Sequence, residues 1–182
     1  HGCLSNRANN ICYMHLDQDS DCERIINILG RLDIEYEIRL HAPVFTMQDA
    51  DEIAKDLQIE PCKNLLLCDR KSNFYLMLTP GDKKVDLKEI ARQIGSSRLS
   101  FADAGQMAGL LHTAPGALSP LSLVFDESQK VHLLIDNDIF KLQSIGCHPC
   151  CNTCSVKISL KDLLDKYIPL TQHTYQTIAI VP

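Results

Sequence analysis

Apolar positions along the chain follow two rhythms, and the points where one gives way to the other predict the elements. Ser20-Asp21-Cys22-Glu23 has the Ser-x-x-Glu form of a capping box, and Ile25, Ile26, Leu29 and Leu32 behind it keep helical spacing. A helix is therefore expected over about 20–32. Tyr36, Ile38 and Leu40 then alternate with Glu35, Glu37 and Arg39, the pattern of a half-buried strand. That strand runs into His41-Ala42-Pro43, where proline forces an extended turn. Thr46 can cap a second helix with Ala50, Ile53, Ala54 and Leu57 on one face. Lys63-Asn64-Leu65-Leu66-Leu67-Cys68 is a short apolar run suited to a buried strand, and with Phe74–Leu78 it predicts an antiparallel hairpin. Asp86 and Glu89 open a helix with Leu87, Ile90, Ala91 and Ile94 inward and Gly95 placed to end it.

A short element is expected near Arg98–Phe101 and another helix over roughly 103–111. Thr113–Pro120 is too rich in Pro and Gly to be regular. Leu121–Phe125 and Val131–Asp136 read as a second hairpin, and Val156–Ile158 as a further strand. Ser159 is placed to cap a last helix over about 160–167, ending before Pro169, and Thr177–Val181 is a candidate edge strand. Hairpin strands interspersed with helices, without a strict βαβ repeat, indicate an α+β (α/β) fold around a mixed, largely antiparallel sheet. Residues 1–18 are polar and without period, so they read as a loose lead-in to one domain spanning 19–182.

Composition narrows the class. At 182 residues the chain is long enough to bury a real core, and 45% hydrophobic with 23% charged residues is ordinary for a soluble globular protein. No apolar run approaches the length of a membrane span. The start, His1-Gly2-Cys3-Leu4-Ser5-Asn6, lacks the basic-then-apolar order of a signal peptide, so nine reduced cysteines in a cytoplasm are the expectation. A net charge of −5 argues against non-specific coating of nucleic acid. Residues 61–98 nevertheless carry 8 basic against 4 acidic side chains. They could hold a few phosphates; a solvated face of mixed charge explains them equally well.

The densest chemistry lies in Ile145–Cys154, with four cysteines, His148 and Asn152 in ten residues. Cys147-x-x-Cys150 followed by Cys151-x-x-Cys154 is compatible with a metal or redox site. Alternatively, His148 and Asn152 work and the cysteines fill space. No distant Cys-x-x-Cys or His pair completes a split ligand set, and four ligands from eight residues are tight for a tetrahedron. A dithiol role leaves the histidine and asparagine unexplained. His148, held by Pro149, can donate a hydrogen bond, act as a base or bind metal. Lys63, where a loop enters a strand, is either a snorkelling surface residue or a cation aimed at phosphate or developing negative charge. Asn64 beside it faces the other way. Gly116-Ala117-Leu118-Ser119-Pro120 is a Gly-x-x-x-Pro loop that lets backbone approach a ligand, or simply a turn.

Taken together, these segments resemble a family. Lys63-Asn64-Leu65 is similar to the Lys-Asn-Leu strand of the YbaK and prolyl-tRNA-synthetase-associated editing domains. Lys84–Lys88, Arg98–Ala102, Pro115–Pro120 and Gly146-x-His148-Pro149-x-x-Asn152-Thr153 resemble the freestanding ProX (PrdX) branch, and His41–Thr46 completes the series. The resemblance covers about residues 20–182. It implies a cytoplasmic enzyme that hydrolyses the ester of mischarged tRNA(Pro), most of all Ala-tRNA(Pro), with Cys-tRNA(Pro) deacylation or a non-catalytic tRNA- or synthetase-binding module as alternatives. The implied partners are the acceptor end of tRNA(Pro) and prolyl-tRNA synthetase, with no membrane, metal or cofactor. By the same resemblance Lys63, Gly116 and His148 carry the chemistry. Thr46, Asn64, Ala117, Leu118, Ser119, Pro120, Pro149 and Asn152 shape the substrate site. The cysteines at 147, 150, 151 and 154 depart from the family, whose residues there are apolar or small.

Overall fold

Capping chemistry starts the helices of the computed structural model, which describes residues 4–5, 20–44 and 46–181. Apart from Leu4–Ser5, the expected lead-in lies outside the described residues, as does Phe45 of the His41–Thr46 motif. Helix α1 (Asp21–Arg31) begins where Ser20 Oγ accepts from the Glu23 N–H, and it buries Ile25, Ile26 and Leu29. Helix α2 (Met47–Leu57) starts with a full capping box between Thr46 and Asp49. Asp86 caps α3 (Leu87–Ile94), which ends at Gly95 in the left-handed conformation. Asp103 caps α4 (Ala104–Leu111).

The strands form two sheets where one was expected. Four antiparallel strands make the first, in the order β1 (Leu4–Ser5), β2 (Tyr36–Leu40), β8 (Cys154–Ser159), β7 (Ser144–Cys147). The second runs β5 (Ser100–Phe101), β3 (Cys62–Cys68), β4 (Phe74–Pro80), β6 (Val131–Asp136), β9 (Tyr175–Ile178). Here β3 pairs antiparallel with β4 and β5, whereas β4–β6 and β6–β9 are parallel. The mixed, largely antiparallel α+β class therefore holds.

The larger core lies between the sheets, taking Leu66, Leu76, Leu78, Leu133 and Ile135 from one and Ile145, Val156 and Ile158 from the other, with α1 packed in. The opposite face of the second sheet, with Leu67, Met77, Leu134 and Ile178, packs on α3 through Ile90. No helix among the described residues is long and apolar enough to cross a membrane.

Three expectations need correction. Leu121–Phe125 is no strand: Pro120–Phe125 is a 3₁₀ helix, because Pro120 presets its first position and Ser119 Oγ accepts from the Leu121 N–H. Consequently β6 has no hairpin partner there and pairs with β4 in parallel. The last helix does not stop before Pro169. Its α-helical start at Leu160–Asp162 passes through a π-helical turn, Leu163–Tyr167, into Ile168–Leu170. The Ile168 N–H reaches back to Leu163 O, which widens the turn just where the proline ring would crowd a regular helix. The edge strand is Tyr175–Ile178, displaced toward the N-terminus from Thr177–Val181. Ser144–Cys147, within the cysteine-rich stretch, is a strand that periodicity did not reveal.

Candidate active site

The loop between β7 and β8 carries His148, Pro149 and Asn152, and two other segments hold it. His41 N–H donates to Thr153 O at 3.0 Å, extending the β2–β8 pairing into the loop. The Asn152 amide closes a reciprocal pair with the Val44 backbone, accepting from its N–H at 3.3 Å and donating to its carbonyl at 3.1 Å. Ser119 Oγ donates to His148 O at 2.6 Å, which fastens the Gly116–Pro120 loop to the histidine's own backbone. Gly116 has φ +88°, and a Cβ there would sit 3.8 Å from the Asn152 amide. Glycine thus supplies the left-handed backbone conformation, and the space itself would accommodate a Cβ.

His148 has its tautomer set by its neighbours. Nδ1 lies 3.0 Å from Cys154 O, a pure acceptor, so Nδ1 carries the proton and donates. Ser155 Oγ stands 3.4 Å from the same nitrogen and 2.9 Å from His41 Nε2. His41 Nδ1 donates to Ala42 O at 2.8 Å, so its Nε2 accepts the Ser155 hydroxyl proton. The two rings meet edge to face with centroids 6.2 Å apart. Burial pushes the His41 imidazole below its ordinary value, the hydrogen bond to Ala42 O opposes this, and His148 adds to the lowering. His148 Nε2 has no protein partner among the described residues. An imidazole held at Nδ1 and bare at Nε2 has the orientation that a general base requires.

His148 lines a cavity of about 80 Å³ with Val44, Ile53, Ile59, Cys62 and Ser155. At roughly 30 Å³ per water, that is room for two or three water molecules. Gly146 belongs to its wall, and a Cβ at Gly146 would come within 2.3 Å of Ile59 Cδ1. The N–H groups of Gly116, Leu118 and Ser119 make no hydrogen bond to protein among the described residues.

The expected site residues divide into those brought together and those kept apart. Gly116, Ser119, His148 and Asn152 meet as described. Pro149 is buried beside them and Pro120 opens the 3₁₀ helix. Ala117 and Leu118 are buried, Leu118 in the main core. Thr46 lies two residues beyond the Asn152–Val44 pair, with its hydroxyl used to cap α2. Lys63 stands elsewhere. Leu65 and Leu67 of β3 pack toward α3, and Lys63 shares their face by strand alternation, with Nζ donating to Lys83 O. Cys62 lines the cavity and Asn64 shares its face; the Asn64 Oδ1 atom is buried without a partner.

The four cysteines of the loop part company. Cys147 is enclosed in the core and burial pushes its thiol up. Cys150 lies 3.3 Å from Ser122 Oγ and donates toward Leu111 O, with its thiol pushed up to about 11 by burial. Cys151 and Cys154 turn instead toward Cys22 of α1. Sequence reasoning overlooked His41 and Ser155 as members of the site, and Cys22 as a neighbour of the loop. His41 was visible within the His41–Thr46 motif; Ser155 and Cys22 carried no signal of their own.

Residues 41–166 match a family described as the aminoacyl-tRNA editing domain. The chain is similar to the prolyl-tRNA editing protein ProX of Acetoanaerobium sticklandii, at 31% identity over 166 residues, covering 91% of this chain and 100% of that protein. It is also similar to prolyl-tRNA synthetase associated domain-containing protein 1 of Danio rerio, at 30% identity over 148 residues and 80% of each chain. A solved structure described as a candidate trans-editing enzyme for prolyl-tRNA synthetase superposes with a TM-score of 0.68. It is 17% identical, covers 91% of this chain and 99% of that one, and the likeness is one of fold.

Proposed function

The chain belongs to the aminoacyl-tRNA editing domain family, and on that premise we propose that it deacylates mischarged tRNA(Pro), with alanine as the amino acid removed. The observation that carries the reading is His148, whose Nδ1 is committed to Cys154 O, whose Nε2 has no partner among the described residues, and which lines a small cavity while its backbone carbonyl accepts from Ser119 of the Gly116–Pro120 loop. An aminoacyl ester is already activated, so orienting a water and stabilising the oxyanion suffice. In this scheme His148 Nε2 takes a proton from water as its oxygen bonds to the ester carbonyl carbon. The N–H groups of the Gly116–Pro120 loop receive the oxyanion. The carbon–oxygen bond to the terminal ribose then breaks, and the proton on Nε2 passes to the departing ribose oxygen.

A pocket beside His148 sized for a methyl side chain would turn away the bulkier proline ring, the size logic of a second sieve. Lys63, at the start of β3, supplies a cation for the phosphate or ribose of the terminal adenosine, exchanging Lys83 O for the ligand. Asn152 acts by holding the 41–46 loop, and Asn64 offers its unpartnered oxygen from the cavity-facing side of β3. The domain spanning 19–182 is the unit that we assign to this activity.

Deacylation of Ala-, Cys- and Pro-charged tRNA(Pro) by the purified protein tests the reading. Ala-tRNA(Pro) should be hydrolysed fastest and Pro-tRNA(Pro) spared. His148→Ala should lower the rate by about 100- to 10,000-fold, the usual range for losing a general base. Lys63→Ala should act chiefly on KM. Wild-type rates at the buffer level for all three substrates refute the activity, and a fully active His148→Ala protein removes the base assignment.

A further inference from the structure

One group of side chains beside the candidate site has no part in that reaction. Cys22, Cys151 and Cys154 place their sulfur atoms within 4.8 Å of one another, and Cys151 Sγ is 3.3 Å from Cys22 Sγ. We propose that these three cysteines form a thiolate site for a closed-shell thiophilic cation of the zinc(II) or copper(I) class.

The argument rests on geometry and ligand type. Bonds of about 2.3 Å from sulfur to such an ion set the sulfurs about 3.8 Å apart in a tetrahedral arrangement and about 4.0 Å apart in a trigonal one. One separation is 3.3 Å and the other two are at most 4.8 Å, a range that contains those values, so the ion enters with small side-chain adjustments. No carboxylate or imidazole belongs to the group, which selects soft ions over magnesium, calcium or manganese. Three thiolates complete a trigonal copper(I) site, or leave zinc(II) a fourth position for water. Cys22 is the second residue of α1, so a helix fixes the position of this ligand. Cys22 and Cys154 are 5% and 0% exposed, whereas Cys151 is only partly covered and gives the ion a way in.

The ligands also come from separate parts of the fold. Counting along the chain, Cys22 lies 129 positions from Cys151, so the distant ligand missing from the 147–154 stretch is supplied by α1. Cys147 and Cys150 have other surroundings. Binding replaces up to three thiol protons, released to solvent, with sulfur–metal bonds. The ion would pin the loop that holds Asn152 and the carbonyl acceptor of His148 without touching substrate.

The test is metal binding by the full chain, reduced and purified without chelator. Zinc(II) and copper(I) are each titrated against a chromophoric competitor, and cadmium(II) reports thiolate ligation through its ultraviolet charge-transfer band. One equivalent is expected, with Cys22→Ser, Cys151→Ser and Cys154→Ser each weakening it by about 100-fold or more. Cys147→Ser, Cys150→Ser and the double variant Cys3→Ser/Cys12→Ser should bind like the wild type. Should a serine variant misfold, alkylation of the wild type with peptide mapping decides: the ion must shield Cys22, Cys151 and Cys154 and leave Cys150 as reactive as before. Uptake of neither ion, undiminished binding in Cys22→Ser, or loss of binding in Cys3→Ser/Cys12→Ser overturns the site. These outcomes are independent of whether the protein deacylates tRNA.

Discussion

The Lys83 cluster and the His41–Ser155–His148 chain both bury polar groups, and they differ in what they leave unengaged. Lys83 Nζ is matched by Asp136 at 2.9 Å, Asp138 at 2.6 Å and Ile180 O at 2.8 Å, three acceptors for three protons. Asp136 in turn accepts from Thr79 Oγ1 at 2.8 Å and from the Asp138 N–H at 3.1 Å. With Lys83 7% and Asp136 1% exposed, this is a closed account of charges joining β4, β6 and the C-terminal segment. The histidine chain is tied down on one side only. His148 Nδ1 is engaged, Nε2 is bare, and nearby backbone N–H groups of the Gly116–Pro120 loop lack partners among the described residues. Complete satisfaction is what a structural ion pair requires. Orientation combined with a free lone pair is what a base requires.

Removing one member from each cluster sets the contrast in numbers. Lys83→Met leaves Asp136 charged and buried without its partner and should lose about 3–5 kcal/mol of stability. For a chain of this length that is a fall in Tm of about 6–20 °C, read by thermal denaturation. The deacylation rate of the protein that stays folded should be unchanged, and a melting point within a degree of the wild type would show the cluster to be dispensable. Ser155→Ala should do the reverse. It takes the hydroxyl from His41 Nε2 and leaves His148 its bond to Cys154 O. We expect a rate loss of about tenfold, worth about 1.4 kcal/mol in the barrier, with Tm lowered by a few degrees at most. A rate equal to wild type would detach His41 and Ser155 from the site.

The two clusters were unequally legible in the sequence. The helix starts at Ser20, Thr46 and Asp86 rest on local hydrogen bonds between residues two or three apart, so pattern alone found them. The β3–β4 hairpin was equally local. Pro120–Phe125 misled because a short apolar run has no period to tell a strand from a tight helix, and here Ser119 and Pro120 decide. The parallel pairing of β4 with β6 depends on chain far apart in sequence, as does the Lys83–Asp136 pair. At the site, glycine, proline and histidine spacing exposed the Gly116–Pro120 loop and His148. The roles of Ser155 and Cys22 arise only when β8 and α1 are brought against the loop. Lys63 shows the limit from the other side: the motif marks the residue, and its partner Lys83 O depends on a turn that the motif does not contain.

Acid separates the clusters by the smallest effect. Asp138 is held down to a pKa of about 2 by Lys141 and Lys83, against an ordinary 3.8. Its folded value is depressed, so its contribution is complete above the ordinary value and fades as pH falls from about 4 toward 2. His41 is also depressed, below an ordinary 6.5, chiefly by burial. For a base this means that the unfolded chain takes up the proton first. The neutral ring's contribution is complete above pH 6.5 and declines as pH falls below it. Once His41 is protonated its Nε2 no longer accepts from Ser155, and the hydroxyl must turn away. Between pH 7 and 5 the rate should therefore fall while Tm moves by only a few degrees, and the steep loss of Tm should wait until below pH 4. Far-ultraviolet melts and single-turnover deacylation over the same pH series check this. A Tm that collapses near pH 6 would place a structural load on the histidine chain and erase the distinction between the two clusters.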